Sequence, residues 1–385
     1  MLDMHIIQPK PMPALQLASI QSTHPVILAE LVGQLPLAAS HFGMVLRTAL
    51  GHKSDLQSEC PEEELLHYRA TPVSVSGCTE ENASSVIDIT ITDYAVTFHG
   101  RCESRLMQAA ILEGAPDQAG LAGSSDHATA NNMDMVLKNE KTGPVARSYY
   151  QTVLAVILEL IERRSAMRRL SDKDGDQGSP HKFYCINDIW KPALASLARF
   201  EDGVSEGVKF VVSEKDLLTM EPEIRLKCQQ LEKEEGLVLG SMIEGDVKLM
   251  LELNHVKYDE PYGHRMIRQS QCFRDKTGKP VAWAGTHEDF AIACLYVLPE
   301  YRKLGLGRLV LLSLALIHVR LAREALSANG VDTDSIPTTA LYAHADCLNY
   351  NQPTMVFMER CGWGRIGNFI WLGLYPKERS DQESF

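Results

Sequence analysis

The chain has 385 residues, of which 45% are hydrophobic and 23% are charged, and its formal net charge is −12. This length suits two domains, and this composition is typical of a globular protein. The negative charge disfavours a nucleic-acid-binding surface, and no apolar stretch approaches the ~20 residues that span a membrane.

The first 170 residues are predicted to form an N-terminal α/β lobe. Val86–Thr92 alternates apolar and polar residues, a pattern typical of a half-buried strand. Apolar residues at helical spacing between Ser148 and Leu170 predict one long helix. The segment Glu113–Met133 is rich in Gly, Ala, Ser and Asn, which favours a surface insertion.

A linker is predicted at residues 171–182. Ser171–Pro180 is polar, contains two glycines and ends in proline, as an exposed domain boundary does. The chain is therefore predicted to divide into a lobe at residues 1–170 and a C-terminal domain at residues 183–385.

The C-terminal domain is predicted to have a mixed α/β fold, because strands and helices alternate along it. The most apolar segment, Phe290–Val297, indicates a central strand that is covered on both faces. The other strands are predicted at Leu237–Met242, Gln269–Phe273, Pro280–Gly285, Thr339–Ala345 and Phe369–Leu374. The helices are predicted at Asp246–Val256, Leu306–Leu326 and Pro353–Cys361.

A turn with the pattern R-x-x-G-x-G follows the central strand, at Arg302–Gly307. Its glycines carry no Cβ, so the backbone can approach a ligand closely. The helix that begins there directs unpaired amides and its positive dipole end at the same place. Strand, turn and helix together predict a site for a pyrophosphate group.

Several segments carry a resemblance to a known family. Leu295–Gly307, LYVLPEYRKLGLG, resembles the acyl-CoA-binding signature of the GNAT superfamily of N-acyltransferases. Asn351–Trp363 resembles a late helix of that family, and Ser270–Cys272 with Gly278–Trp283 resembles a hairpin of its glycine N-acyltransferase-like branch. The resemblance implies a GNAT fold, in which helices flank a mixed, splayed central sheet. It also leaves room for an N-terminal lobe that is a degenerate GNAT-like half.

The resemblance implies that acetyl-CoA or another acyl-CoA binds as co-substrate. The pantetheine arm would lie in a gap beside the central strand, where one freed amide would stabilise an oxyanion. Asn351 would contact that arm, although a role as a helix N-cap is the alternative. The implied cofactor-binding residues are Leu295, Tyr296, Val297, Arg302, Lys303, Leu304, Gly305, Leu306, Gly307, Arg308 and Asn351.

Candidates for the general base lie near the start of the central strand. The glycine branch carries a Glu there, whereas the aligned residue here is Ala291. Asp289 is the first candidate, because a straight strand points residues two apart to the same face. Glu288 and His344 are the other candidates. The alternative is that His287–Asp289 is a solvated hairpin loop and that His344 is structural.

Two further features bear on the mechanism. The family's leaving-group Tyr is replaced by Met358, but a thiolate can leave unaided because a thiol has a pKa of ~8.5. Cys294 and Cys361 have no His at a recognised local spacing, which favours a buried apolar role over nucleophilic catalysis. None of the nine cysteines has zinc-ligand spacing, so no metal is expected, and reduced thiols favour a cytoplasmic compartment.

These features predict an acyl-CoA-dependent N-acyltransferase, in which the amine of a small molecule or amino acid attacks the thioester directly. One alternative is a protein or peptide N-acetyltransferase, because the acidic chain would favour a basic substrate. The other is a non-catalytic acyl-CoA-binding module, because the family's Tyr and Glu are both missing.

Overall fold

The computed structural model describes residues 15–19, 25–35, 37–50, 66–72, 87–91, 96–100, 181–191, 194, 198–200 and 205–376. The chain divides into two compact units, neither of which is continuous in sequence. The first contains Met1–Ile20, Pro61–Glu206 and Gly367–Phe385, and the second contains Gln21–Cys60 and Gly207–Ile366. The predicted helix at 148–170 and the insertion at 113–133 lie outside the described residues, so the predicted domain boundaries stay a prediction.

The described elements follow one another along the chain as thirteen strands and seven α-helices, with short 3-10 turns between some of them. The strands are β1 Leu15–Ser19, β2 Leu66–Pro72, β3 Ile87–Ile91, β4 Val96–Gly100, β5 His181–Asn187, β6 Ala198–Phe200, β7 Ser205–Ser213, β8 Val238–Gly240, β9 Gln271–Arg274, β10 Pro280–Thr286, β11 Ala291–Val297, β12 Tyr342–Leu348 and β13 Gly364–Pro376. The helices are α1 Pro25–Val32, α2 Ala39–Ala49, α3 Glu214–Glu235, α4 Val247–Leu253, α5 Glu260–Met266, α6 Leu306–Ala328 and α7 Gln352–Arg360.

The first unit contains a sheet in the order β1-β2-β3-β4-β5-β13, with β6 also paired to β13. Its pairs are antiparallel except for the parallel pair β4–β5. Strand β3 confirms the strand predicted at Val86–Thr92. His181 and Lys182, which were predicted to end the linker, belong to β5.

The second unit contains a mixed sheet in the order β7-β12-β11-β10-β9-β8. Its only parallel pair among the described strands is β11–β12, and the other pairs are antiparallel. Every residue of β10 is buried, and most of the long helix α6 is buried as well. The structure thus has the mixed α/β architecture, with helices flanking a mixed sheet, that was expected from the sequence.

Helices α1 and α2 belong to the second unit, although the sequence prediction placed residues 1–170 in a separate lobe. Their apolar residues account for this, because Leu28, Leu31, Val45 and Leu46 are almost completely buried. Helix α2 contacts α6 and β12, so the burial is against elements of the second unit. The elements described within the first unit are strands and one 3-10 turn at Asp188–Trp190.

Strand β7 and helix α3 were not predicted, although α3 carries clear terminal signals. Ser213 accepts a hydrogen bond from the Asp216 amide at 3.2 Å, which caps the first turn. Gly236 ends the helix in the left-handed region, at φ +68°. The pattern Ser-x-x-Asp before the helix and Gly after it would have located both ends.

Candidate functional site

Strands β11 and β12 part after two residue pairs, which leaves one side of β11 open. Ala291 pairs with His344 and Ile292 with Ala345, and no further pair joins these two fully described strands. The two paired residues of β11 are buried, whereas those from Ala293 to Val297 are half-buried. Backbone groups on the open side therefore have no strand partner and can serve a ligand. This is the splayed sheet that the resemblance implied.

A β-bulge distorts β11 where the gap begins. On the β10 side, Ala293 pairs with Gly285 and Tyr296 with Trp283, so two residues of β11 face one residue of β10. Cys294, the first of these two, has a φ of +52°. A bulge bends its strand and changes the direction of the following backbone groups. It can therefore direct an amide into the gap.

The turn after β11 presents the N-terminus of the 23-residue helix α6. Gly305 caps that helix with a φ of +80°, and the Leu309 amide donates the first helical bond to its carbonyl at 3.2 Å. The amides of residues 306–308 consequently have no acceptor within the helix. A Cβ on Gly305 would meet no atom within 4 Å, so the space around its Cα is open.

Gly307 has a packing role that the sequence did not reveal. A Cβ there would lie 3.3 Å from Val297 Cγ2 and 3.5 Å from Phe357 Cζ. These contacts are tight, so Gly307 lets the first turn of α6 approach β11 and α7 closely. Of the two glycines in the motif, Gly305 is the one that borders open space.

The basic residues around the turn differ in what they contact. Arg302 donates through Nε to the Val297 carbonyl at 3.2 Å, which ties the turn to the end of β11. Arg308 donates through Nη1 to Glu223 Oε1 at 2.9 Å. Lys303 is exposed and has a φ of +73°. The expected phosphate contacts of Arg308 would therefore compete with an existing ion pair.

The apolar candidates near the turn differ in their exposure to solvent. Leu306 is 1% exposed and packs in the core, whereas Leu304 is 37% exposed. Leu295 and Tyr296 are half-buried on β11 beside the gap, and Tyr296 stacks on Trp283 with ring centroids 5.3 Å apart.

Asn351 and Met358 lie at opposite ends of α7. The exposed Asn351 side chain accepts a hydrogen bond from the Thr354 amide at 3.4 Å, so it is the N-cap of the helix. Its amide nitrogen is a separate donor that a cofactor arm could use. Met358 is 2% exposed and belongs to the hydrophobic core.

Asp289 and His344 face each other where β11 and β12 are still paired. Asp289 Oδ2 lies 3.7 Å from His344 Nε2, and Asp289 Oδ1 accepts from the Ala291 amide at 3.2 Å. The Asp289 side chain is 17% exposed and that of His344 is 4% exposed. Asp289 is thus the member of the pair that water or a substrate can reach. The neighbouring Phe290 has a φ of +63°, a rare conformation for a bulky residue.

The pKa of Asp289 is held below its usual range. Burial acts to raise this pKa, but the interaction with His344 at 3.7 Å, followed by the charges of Lys209 and His287, outweighs that effect. The carboxylate therefore stays ionised at neutral pH.

Lys209 is a fully buried lysine of β7, and sequence reasoning missed it. Its Nζ lies 2.8 Å from Asp346 Oδ1 and donates to Ser40 Oγ at 2.8 Å. A buried ammonium requires such partners, because the loss of hydration is otherwise too unfavourable. A single lysine in an unpredicted strand gives no local pattern that would have identified it.

Glu288 and His287 have protein partners, so the loop is not the solvated hairpin of the alternative interpretation. Arg265, which is 7% exposed, donates through Nε to Glu288 Oε1 at 3.0 Å. His287 Nδ1 lies 2.9 Å from the Tyr262 hydroxyl, and its Nε2 lies 3.4 Å from the Tyr258 hydroxyl. Burial lowers the pKa of His287, whereas nearby carboxylates oppose that shift. Glu288 is therefore engaged as an ion-pair partner.

Helix α2 packs directly on the turn that carries Asp289, which no local sequence signal indicated. A Cβ on Gly43 would overlap the Asp289 carbonyl oxygen and lie 3.0 Å from Phe290 Cβ. Residues of α2 also line a small cavity together with His318 and His344.

The remaining reactive side chains have structural environments. His318 Nε2 lies 2.8 Å from Thr286 Oγ1, and burial lowers the pKa of His318 to about 3. Burial raises the pKa of the Cys294 thiol to about 12 and that of Cys361 to about 11. Thiols with such pKa values are poor nucleophiles at neutral pH.

Comparison with known proteins gives similarity at the level of structure only. No family model matches the chain, and no curated protein matches it. Among the described helices, none has the length and apolar character that would carry it across a bilayer.

Several solved structures are similar to this chain. A Drosophila protein from a structural genomics programme is 12% identical, covers 94% of this chain and 99% of its own, and has a TM-score of 0.47. A tandem GNAT protein from the clavulanic acid biosynthesis pathway is 11% identical, covers 95% of this chain and 100% of its own, and has a TM-score of 0.39. A GCN5-related N-acetyltransferase from Kribbella flavida is 15% identical, covers 60% of this chain and 79% of its own, and has a TM-score of 0.34.

Proposed function

We propose that the chain is an acyl-CoA-dependent N-acyltransferase that transfers an acyl group, such as acetyl, to the amine of a small molecule or amino acid. The observation that carries this proposal is the parting of β11 from β12 after Ile292, immediately before a turn that presents a helix N-terminus. A gap with unpaired backbone groups suits a pantetheine amide arm, and a helix N-terminus suits a pyrophosphate.

Several residues would hold the acyl-CoA. The amides of residues 306–308 and the open space at Gly305 would receive the pyrophosphate. Lys303 is exposed at the same turn and supplies positive charge. Backbone groups of Leu295–Val297 would pair with the pantetheine arm, and the Asn351 side-chain amide would add a donor.

The chemistry follows from the residues at the closed end of the gap. The acceptor amine attacks the thioester carbonyl carbon, and an amide freed by the Cys294 bulge stabilises the oxyanion. Asp289, acting through a water, takes the proton that the amine loses, and His344 Nε2 lies 3.7 Å from its carboxylate. The carbon–sulfur bond then breaks, and the thiolate takes a proton from water because Met358 has none to donate.

The two alternatives are separable by experiment. A protein or peptide acetyltransferase would use the same gap with a larger acceptor, and an acyl-CoA-binding module would bind without turnover. The ionised Asp289 beside His344 favours catalysis over binding only, because a buried carboxylate with a strongly shifted pKa is typical of catalytic sites.

The test is release of free thiol from acetyl-CoA and longer acyl-CoAs, with pooled small amines, pooled amino acids and pooled peptides as acceptors. We expect turnover with a small-amine or amino-acid pool. Turnover with peptides only would favour the protein acetyltransferase. Acyl-CoA binding by calorimetry without thiol release in any pool would favour the binding module, and absence of binding would refute the proposal.

A further inference from the structure

Helix α2 comes from the N-terminal part of the chain, yet it packs within the unit that carries the candidate site. Its Ser40 is 4% exposed and accepts a hydrogen bond from Lys209 Nζ at 2.8 Å. One turn later, Gly43 lies against the backbone of Asp289. Residues three apart share a helix face, so one face of α2 contacts both Lys209 and the turn that carries Asp289.

Gly43 needs a local explanation, because glycine within a helix costs about 1 kcal/mol relative to alanine. It is the fifth residue of the 11-residue α2. The close contact with the Asp289 carbonyl and with Phe290 supplies that explanation, since any larger residue would overlap the turn. Phe290 has a strained backbone, at φ +63°, which persists only if the surroundings hold it. Helix α2 is part of those surroundings.

Ser40 acts on the same turn through Lys209. The Lys209 ammonium is shared between Ser40 Oγ and Asp346 Oδ1, each at 2.8 Å. Its charge is one of those that keep Asp289 ionised. In a buried environment such a charge acts strongly over short distances, so the position in which Ser40 holds the ammonium matters to Asp289.

We propose that α2 positions the acyl-transfer centre, meaning Asp289 and the charged groups around it. Gly43 lets the helix pack closely on the turn that carries Asp289, and Ser40 holds the Lys209 ammonium near the Asp289 carboxylate. The inference rests on the proposed N-acyltransferase function. Gly43 and Ser40 are positioning residues, because each acts through another residue and neither lies in the acyl-CoA gap.

The first experiment compares Gly43→Ala with Gly33→Ala in the full-length chain. The control glycine lies just after α1, and a Cβ there would come no closer than 3.4 Å to any neighbour. We expect kcat to fall roughly a hundredfold in Gly43→Ala, because displacement of a catalytic group by about 1 Å has that effect. The KM for acyl-CoA and the activity of Gly33→Ala should stay near the wild-type values.

The pH profile gives a readout that a purely structural role would not change. The titratable or charged groups near Asp289 are His287 of the same turn, His344 and Asp346 of β12, Lys209 of β7 and His318 of α6. If the turn moves away from His344 and Lys209, burial is left to raise the carboxyl pKa. The acid limb of kcat/KM should therefore move to higher pH in Gly43→Ala.

A second variant keeps the proposal testable if Gly43→Ala does not fold. Ser40→Ala removes only the hydroxyl, and with it one hydrogen-bond partner of the Lys209 ammonium. We expect kcat to fall roughly tenfold, the scale of one hydrogen bond to a charged group, and the acid limb to move in the same direction. Ser313→Ala is the matched control, since Ser313 is a buried serine of α6 that has no part in the proposed centre.

Hydrogen exchange separates failure of this inference from failure of the proposed function. The amides of Phe290 and Ala291 are hydrogen-bonded within the turn, and we expect them to exchange faster in Gly43→Ala than in Gly33→Ala. An inactive wild type would overturn the enzymatic role even if exchange changes as expected. An active wild type with unchanged kcat, pH profile and exchange in the folded variants would overturn the role of α2 and leave the proposed function intact.

Discussion

The side chains that meet near the start of β11 differ in how well each could move a proton. Glu288 is held by a buried arginine, and His344 is almost completely enclosed. Asp289 is both partly exposed and ionised, so it is the residue that can accept a proton from a water-bound amine. A carboxylate of low pKa is a weak base, so the proton that Asp289 accepts through a water would pass on to solvent.

Replacing Asp289 by Asn should reduce turnover at neutral pH by roughly a hundredfold, the usual scale for a lost general base. The Asn side chain can still accept from the Ala291 amide, so the turn should keep its shape. Raising the pH should restore part of the activity, because more of the acceptor amine is then deprotonated.

Glu288→Gln is the matched control for Asp289→Asn, since it changes the adjacent carboxylate. If both variants keep wild-type turnover, the base lies elsewhere, and His344→Gln becomes the next variant to measure.

His318 should make the protein less stable as the pH falls. Its pKa is lowered by burial to about 3, from an ordinary value near 6.5, so the unfolded chain binds a proton that the folded chain rejects. The contribution of His318 to the free energy of unfolding is nearly constant well above pH 6.5. It decreases as the pH falls through 6.5 toward the pKa of the folded protein. Urea unfolding at pH 6.5 and pH 4.5 should show a loss of about 2 kcal/mol from this residue.

The substitution His318→Gln keeps a hydrogen-bonding group near Thr286 and removes the titration. It should reduce the loss of stability between those two pH values. An equal loss in the variant and the wild type would show that other groups, such as His287, cause the acid sensitivity.

Met358→Leu should leave turnover almost unchanged. The residue is buried in the core, where exchange of two side chains of similar volume costs less than about 1.5 kcal/mol. Steady-state rates and a melting curve check this. A large loss of turnover with an unchanged melting temperature would mean that the sulfur takes part in the reaction.

At the scale of elements, the strand, turn and helix at Ala291–Ala328 could be predicted because their signals are local. An apolar run, two glycines and a helical apolar pattern all lie within one segment of the chain. The β9–β10 hairpin was predictable for the same reason, because its turn residues are adjacent in sequence. Within that turn, Asp275 Oδ1 accepts hydrogen bonds from the Thr277 and Lys279 amides.

The parts of the site that sequence reasoning missed depend on contacts between distant segments. Lys209 and Ser40 are 169 residues apart, and neither lies in a pattern that marks a functional residue. Gly43 is similar, because its close contact with Asp289 exists only after α2 has packed on the β10–β11 turn. The sequence ranked Asp289 first from strand phase alone, and it could not show that Arg265 already holds Glu288.

The N-terminus of α6 can be tested by adding a negative charge in front of it. Gly305→Glu should weaken acyl-CoA binding strongly, because the carboxylate would repel the pyrophosphate. Gly305→Gln is the matched control, since both side chains suffer the same strain at φ +80° and differ in charge. Calorimetry should show much weaker binding for Glu than for Gln.

Gly307→Glu should also reduce binding, but through a different cause. Its side chain would press on Val297 and Phe357, so the melting temperature should fall together with affinity. Equal affinities for wild type, Gly305→Glu and Gly305→Gln would contradict the pyrophosphate assignment.

At the scale of the whole molecule, a fragment of residues 183–385 should not form a stable domain. It lacks α2, whose Phe42, Val45 and Leu46 are at most 4% exposed. Burial of three such side chains contributes roughly 5 kcal/mol or more, which is a large part of the stability of a typical domain. Thermal unfolding of the fragment should be broad and should occur well below that of the full chain.

The matched sample for this comparison is the same fragment with residues 21–60 fused to it through a flexible linker. Recovery of a sharp transition would confirm that the missing helices are the cause. A sharp transition at the full-chain temperature in the unfused fragment would show that α2 is dispensable for stability.

The division of one compact unit between residues 21–60 and residues 207–366 also has a consequence for biosynthesis. The early segment leaves the ribosome long before β12 and α6 exist, so the face of α2 that packs on them lacks these partners during most of synthesis. Contacts between such distant segments slow folding, and uncovered apolar helices favour aggregation in the meantime. Nascent chains stalled between residues 100 and 200 should therefore bind chaperones through this helix. Chains stalled after β12 should no longer bind them.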